Sequence, residues 1–177
     1  KLNQAISAAN SAKSTPNYTE ADSGKQKALD DALSEAEKAK TSNDPSAVAT
    51  ATKHLQDAQS GLNGDSNLAN TKNQADQNIE QLTNLSADQK KAAKDKINSA
   101  KTSSDVTKAE NDAKTLNDNL GKLNQAISDA NKAKTGSNYT EADSGKQKAL
   151  ADALSKAEKA KNSNDPSAVA TATTHLQ

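Results

Sequence analysis

Small apolar residues return along this chain at steps of three and four. From 19 to 40 the inward set is Ala21, Ala28, Leu29, Ala32, Leu33, Ala36 and Ala39, which is the spacing of one face of an α-helix. Thr19 with Asp22 three residues on has the form of a capping box and predicts the helix start there. Asp44-Pro45 predicts the next start, an N-cap followed by proline at the first turn, where a missing N–H costs nothing. The stripe that follows is Val48, Ala51, Leu55, Ala58 and Leu62, and Gly61 and Gly64 are expected to end it. The next set, Leu68, Ala75, Ile79 and Leu82, begins one residue out of phase, which marks a break. Ser86 with Gln89 forms another capping box, ahead of Ala93, Ile97 and Ala100.

From Ser104 onward, Val106, Ala109, Ala113, Leu116, Leu120, Leu123, Ile127 and Ala130 alternate threes and fours without a slip, straight through Gly121. A mid-helix glycine costs about 1 kcal/mol relative to alanine, which an unbroken packing stripe offsets. The spacing predicts one helix from about 104 to 134, roughly 45 Å long at 1.5 Å per residue.

The chain also repeats itself. Setting Lys1 on Lys122 brings Gln56 onto Gln177, and of these 56 positions nine differ, leaving 47 identical. The differences are Ala8/Asp129, Ser11/Lys132, Ser14/Thr135, Thr15/Gly136, Pro16/Ser137, Asp30/Ala151, Glu35/Lys156, Thr41/Asn162 and Lys53/Thr174, and none alters a Leu, Ile, Val or Tyr. Long tandem repeats mark arrays rather than single-site enzymes. The expected fold is all-α: three-helix bundles in series over 1–62, 65–121 and 122–177, the last truncated at its C-terminus. The helix at about 104–134 is expected to serve two bundles and join them into an elongated rod. The ends correspond to positions inside helices, so the sequence reads as cut from a longer array.

Composition narrows the chemistry. Hydrophobic residues make up 32% and aromatics 1%, with no Phe, Trp, Met, Cys or Arg. That fits either disorder or thin, alanine-rich bundles, and the phased stripes with matched caps favour bundles. Bundles of about 60 residues lie near the lower limit for folding without metal or disulfides, so a shared helix should help by coupling neighbours. Without cysteine there is no disulfide, thiolate ligand or thiol nucleophile. Lysines and carboxylates balance at 23 each, so no basic field exists to hold nucleic acid or an anionic membrane. No apolar run reaches the roughly 18 residues that would span a bilayer, and no signal or anchor motif is present.

"YTEADSGKQKALDDALSEAEKA" (18–39) and "NDPSAVATATKHLQDAQSGLNG" (43–64) resemble the FIVAR module. Residues 68–118, from "LANTKNQADQ" to "KTLND", resemble a GA module. Alternating units of these kinds resemble the giant extracellular-matrix-binding proteins of staphylococci and related Gram-positive bacteria. The resemblance implies a cell-wall-anchored, extracellular rod without enzymatic activity or cofactor, whose modules bind fibronectin or other matrix components. Some GA modules bind serum albumin through aromatic residues shortly before an Ile-Asn-x-Ala. Here that landmark is Ile97-Asn98-Ser99-Ala100, and Ala92, Ala93 and Lys94 precede it, so albumin is not an expected partner.

The candidate sites are few. Tyr18 and Tyr139 are the only large rings; each either caps a bundle end with its hydroxyl in water or touches a partner. Ser23-Gly24-Lys25 fails as a P-loop because Thr19 and Gln26 stand where glycine and Ser/Thr are required. Gly24 is instead expected at a crowded helix contact or a local weakness. His54 and His175 have no second histidine or cysteine to make a metal site and should lie on exposed helix surface. Three Asn-x-Ser/Thr sequences, ending at Thr19, Ser86 and Thr140, are explained by helix capping. Asp65-Ser66-Asn67 lacks the glycine and closing glutamate of a calcium loop. Glu35 and Glu37 belong on a solvated face, and Glu35 is Lys156 in the second copy, which no catalytic acid would tolerate. The remaining readings are a matrix-binding stalk, expected as a monomer, a passive spacer with no ligand of its own, and, a distant third, an enzyme.

Overall fold

A computed structural model describes all residues, Lys1–Gln177. The chain is all-α, with helices α1 Leu2–Ala12, α2 Pro16–Thr19, α3 Ser23–Ala39, α4 Pro45–Ser60, α5 Gly64–Glu80, α6 Ala87–Ser99, α7 Ser103–Ala133, α8 Ser137–Thr140, α9 Ser144–Ala160 and α10 Pro166–Leu176. Its contacts divide it into two compact units. One holds Lys1–Asn73 with Lys101–Ser103, and the other holds Gln74–Ala100 with Ser104–Gln177.

In the first unit α1, α3 and α4 pack mutually as a three-helix bundle. Its core is Leu2, Ala5, Ile6, Ala9, Leu29, Ala32, Ala36, Leu55 and Leu62, with Tyr18, Leu33 and Val48 half-buried against it. Ala9 and Ala36 lose all their exposure, because alanine at the contact lets helix axes approach closely. Asp44 caps α4 by accepting from the Ser46 N–H at 2.8 Å, with Pro45 behind it, as its sequence predicts.

Three local expectations fail. Thr19 does not cap α3; it ends the separate turn α2, and the cap is Asp22. The Asp22 carboxylate does not fold back on its own helix, because Asn63 and Asn67 donate to it at 2.9 and 3.0 Å. Ala28 is exposed, since it sits one residue and 100° away from the buried Leu29. Gly64 does not end α4 but opens α5. A Cβ there would stand 2.3 Å from the Pro16 carbonyl oxygen, 2.6 Å from that of Asn17 and 2.8 Å from the Ala21 nitrogen, so two backbones meet at a spot only glycine can occupy.

The second unit contains the end of α5, then α6, α7 and the repeated α8–α10. Ser86 and Gln89 complete the predicted capping box in both directions, at 3.2 and 2.9 Å. Ala93, Ile97 and Ala100 are buried as predicted. The helix expected at 104–134 is α7, unbroken over 31 residues. Val106, Ala113, Leu116, Leu120, Leu123, Ile127 and Ala130 are buried along it, together with Ala126. At Gly121 the missing side chain makes room for Asn84, whose Nδ2 would lie 2.9 Å from a Cβ. Asn84 is held there by Asn117, which accepts from its backbone N–H at 2.9 Å and, through the Asn117 carbonyl, from Nδ2 at 3.1 Å. A further pair, α9 and α10, pack on one another.

Candidate binding surface

The two tyrosines sit in equivalent turns with unequal surroundings. Tyr18 is half-buried against the first core. Its hydroxyl donates to Asp30 on α3 at 2.9 Å, and Lys13 pairs with the same carboxylate at 2.8 Å while lying 5.6 Å from the ring centroid. The hydroxyl is therefore engaged by protein and not left in water. Lys13 and then Tyr18, by hydrogen bonding, hold the Asp30 carboxyl below its ordinary range, while the bond to Asp30 raises Tyr18. In the second copy Ala151 stands where Asp30 does, so the half-buried Tyr139 has no such carboxylate across from it. The backbone of both turns is held alike: Gln26 and Gln147 each donate Nε2 to the tyrosine carbonyl at 2.8 Å.

The other candidates resolve as structure. Gly24 has open space around it, not a crowded contact, and Lys25 donates to the Gly61 carbonyl at 2.6 Å. Of the three Asn-x-Ser/Thr sequences only Ser86 caps a helix; Thr19 and Thr140 end the turns α2 and α8. His54 and Glu35 are both exposed, 3.5 Å apart. No group of three His, Cys, Asp or Glu side chains is placed to hold a metal ion, no helix is long and apolar enough to cross a membrane, and no large hydrophobic side chain is exposed.

The densest polar geometry lies instead where α5 starts beside the α2–α3 turn and where α6 and α7 reach the α9–α10 turn, and composition does not announce it. In the first unit the Asp22 N–H donates to Asn63 Oδ1 at 3.1 Å, while Asn67 also donates to the Glu20 carbonyl at 3.0 Å. The two asparagines hold the Asp22 carboxyl below its ordinary range. The Glu20 carboxylate accepts the Ser103 N–H at 3.0 Å. In the second unit Gln89 is buried and serves twice. Beyond its cap, its Nε2 donates to the carbonyls of Lys161 and Ser163, at 2.9 and 2.8 Å, in the turn between α9 and α10. Asn119 on α7 donates to the Pro166 carbonyl at 3.0 Å. A recess of about 330 Å³ lies beside these bonds, lined by Gln89, Ala93, Ala113, Leu116 and Pro166 among others. The signal for Gln89 in the sequence is its capping position, which gives one of its partners and not the other two.

These features define a class: small helical modules with alanine-rich cores, polar faces and closely fitted joints. The FIVAR domain model matches residues 1–63 and 119–177, and the GA module model matches 65–119. The chain belongs to the FIVAR family, with a GA module set between two FIVAR domains. It is 39% identical over 162 residues to the extracellular matrix-binding protein EbhA of Staphylococcus aureus strain Mu3, a match over 89% of this chain. It spans only 2% of that relative's length. Among solved structures, residues 756–1003 of EbhA from S. aureus superpose with a TM-score of 0.93 at 30% identity, covering 99% of this chain and 73% of that one. A structure described as characterising Embp-mediated adherence of Staphylococcus epidermidis to fibronectin superposes with a TM-score of 0.59 at 27% identity, covering 63% of this chain and 93% of that one.

Proposed function

We propose that this chain is a repeat unit of a bacterial cell-surface adhesin, acting without catalysis as a stalk and as a weak, multivalent binder of host extracellular matrix of the fibronectin type. Its working modules are 1–62, 65–121 and 122–177. The observation that carries this reading is the match along nearly the whole chain to a domain of EbhA, whose relatives are named for matrix binding. Weakness per unit follows from the surface: no large apolar side chain is exposed to anchor a contact. Useful affinity then comes from repetition, where linked weak sites gain about 10²–10⁴-fold in avidity.

A passive spacer is the second reading. It is favoured by the charge reversal Glu35/Lys156 and by the loss of the Tyr18 partner at Ala151, since a contact face used in both copies should resist such changes. Retention of this chain, and of tandem arrays of two and four copies, on immobilised fibronectin separates the two. The adhesin reading expects retention to rise more steeply than copy number. No retention at any length leaves the spacer.

A further inference from the structure

Of the chain's asparagines only Asn63 stands directly before a glycine, Gly64. Such a pair is chemically fragile wherever it is free to turn. With no side chain on the second residue, its backbone nitrogen can reach the asparagine side-chain carbonyl. The fold puts both halves of the pair to structural use. Asn63 Oδ1 accepts the Asp22 N–H at 3.1 Å, and its Nδ2 donates to Asp22 Oδ2 at 2.9 Å. The Asn63 backbone carbonyl accepts the Asn67 N–H at 2.9 Å, closing the first turn of α5. Gly64 is buried, with the Pro16 and Asn17 carbonyl oxygens and the Ala21 nitrogen all within 2.8 Å of where a Cβ would stand. Neither the side chain nor the peptide it would react with can swing toward the other.

We propose that Asn63-Gly64 is a self-modification site, held shut in the folded chain and released when the start of α5 opens. In the open chain the Gly64 nitrogen, on losing its proton, attacks Asn63 Cγ. A carbon–nitrogen bond forms and closes a cyclic imide, the Cγ–Nδ2 bond breaks, and ammonia leaves carrying the proton. Water then opens the ring. Its addition at Cγ leaves aspartate at position 63, and its addition at the main-chain carbonyl carbon leaves the β-linked isomer. The net exchange is one water taken up for one ammonia released, with no oxidant or reductant. The product does not fit back into the fold. An oxygen replaces the Nδ2 that donated to Asp22 at 2.9 Å, so two carboxylates face each other there. The β-linked form also lengthens the main chain by one carbon ahead of Gly64, where close backbone contacts leave no room for it. Opening of this turn is thus recorded in one direction only. The inference stands whether or not the chain binds matrix.

The test ages the full chain in mildly alkaline buffer, both native and in urea that unfolds it. Peptide-mapping mass spectrometry and an isoaspartyl assay follow position 63. Conversion is expected to run about tenfold or more slower in the native chain, because it must wait for opening. Asp22→Ala, checked for helical content by circular dichroism, removes the carboxylate that holds Nδ2. It should raise the native rate and leave the unfolded rate unchanged. Equal rates in native and unfolded chains, or no conversion in either, overturn the proposal, and so does an unchanged native rate in Asp22→Ala. The misfit of the product is read in Asn63→Asp. Its Asp65 and Asn67 amides, which donate to Asn17 and to the residue 63 carbonyl in the original chain, should exchange about tenfold faster. If that variant does not fold, the aged unfolded chain is returned to native buffer, and converted molecules should be depleted from the refolded fraction. Original exchange rates in Asn63→Asp, or converted molecules that refold as readily as unconverted ones, overturn the one-way step.

Discussion

Asp30 is where two nearly identical bundles part chemically. Because Lys13 and Tyr18 favour its charged form, the folded chain resists protonating it, and Asp30 lies below its ordinary 3.8. The unfolded chain takes up that proton first as pH falls. The cluster's contribution is therefore complete above pH 3.8 and is lost as pH drops through the lowered folded value. On the alkaline side the folded chain retains the Tyr18 proton beyond its ordinary 10.0. That contribution is complete below pH 10.0 and fades as pH rises through the raised value. Asp30→Ala is expected to cost about 1 kcal/mol at neutral pH, a partly exposed ion pair with one hydrogen bond. It should also weaken both pH limbs in urea denaturation of the first unit. Tyrosinate absorbance should show Tyr18 ionising at lower pH in the variant than in the original chain. The tyrosine itself was legible as a candidate. Its partner was not, because Asp30 is twelve residues away and only the packing of the α2 turn on α3 brings them together.

At the scale of elements, two glycines make opposite predictions. Gly24 lies in the first turn of α3 with nothing within 4 Å of an added Cβ. Gly24→Ala is expected to stabilise the first unit by about 0.5 kcal/mol, chiefly by narrowing the unfolded ensemble. Gly64→Ala places its methyl against backbone atoms that cannot rotate aside and should destabilise it by about 3 kcal/mol. Thermal and urea unfolding of the two variants checks both signs. Helix type and most boundaries were legible because capping and periodicity are local. Ser86/Gln89, Asp44-Pro45 and the stripe through Gly121 all fall where their sequence places them. Thr19/Asp22 failed because a capping pattern says nothing of distant competitors. Asn63 and Asn67, more than forty residues away, claim the Asp22 carboxylate.

For the molecule as a whole, the question is how thin cores share stability. In the second unit α7 runs unbroken from the GA module into the second FIVAR domain, with Leu120 and Leu123 buried on either side of Gly121. Gly121→Pro removes one intrahelical bond and clashes with the Asn117 carbonyl, which also accepts from Asn84. The expected outcome is a loss of about 3 kcal/mol or more and, in calorimetry, two transitions replacing one cooperative unfolding of that unit. A single transition at lower temperature would mean that the Gln89 and Asn119 bonds couple the modules without a continuous helix.

The amino-acid sequence by itself determined the all-α class, the repeat, the continuous helix and the family resemblance, because each is written in neighbouring residues or in periods of three and four. Only the tertiary structure decided that Asp22 accepts from Asn63 and Asn67 around the start of α5, that Gly64 is a point of backbone contact, and that Gln89 caps one helix while reaching the turn between α9 and α10. It also buried Val169 and Thr173 more fully than their counterparts Val48 and Thr52 in an identical stretch of sequence. The physical reason is the same in each case. A hydrogen-bond donor or a missing Cβ acquires its meaning from what stands 3 Å away, and that neighbour is set by packing across tens of residues.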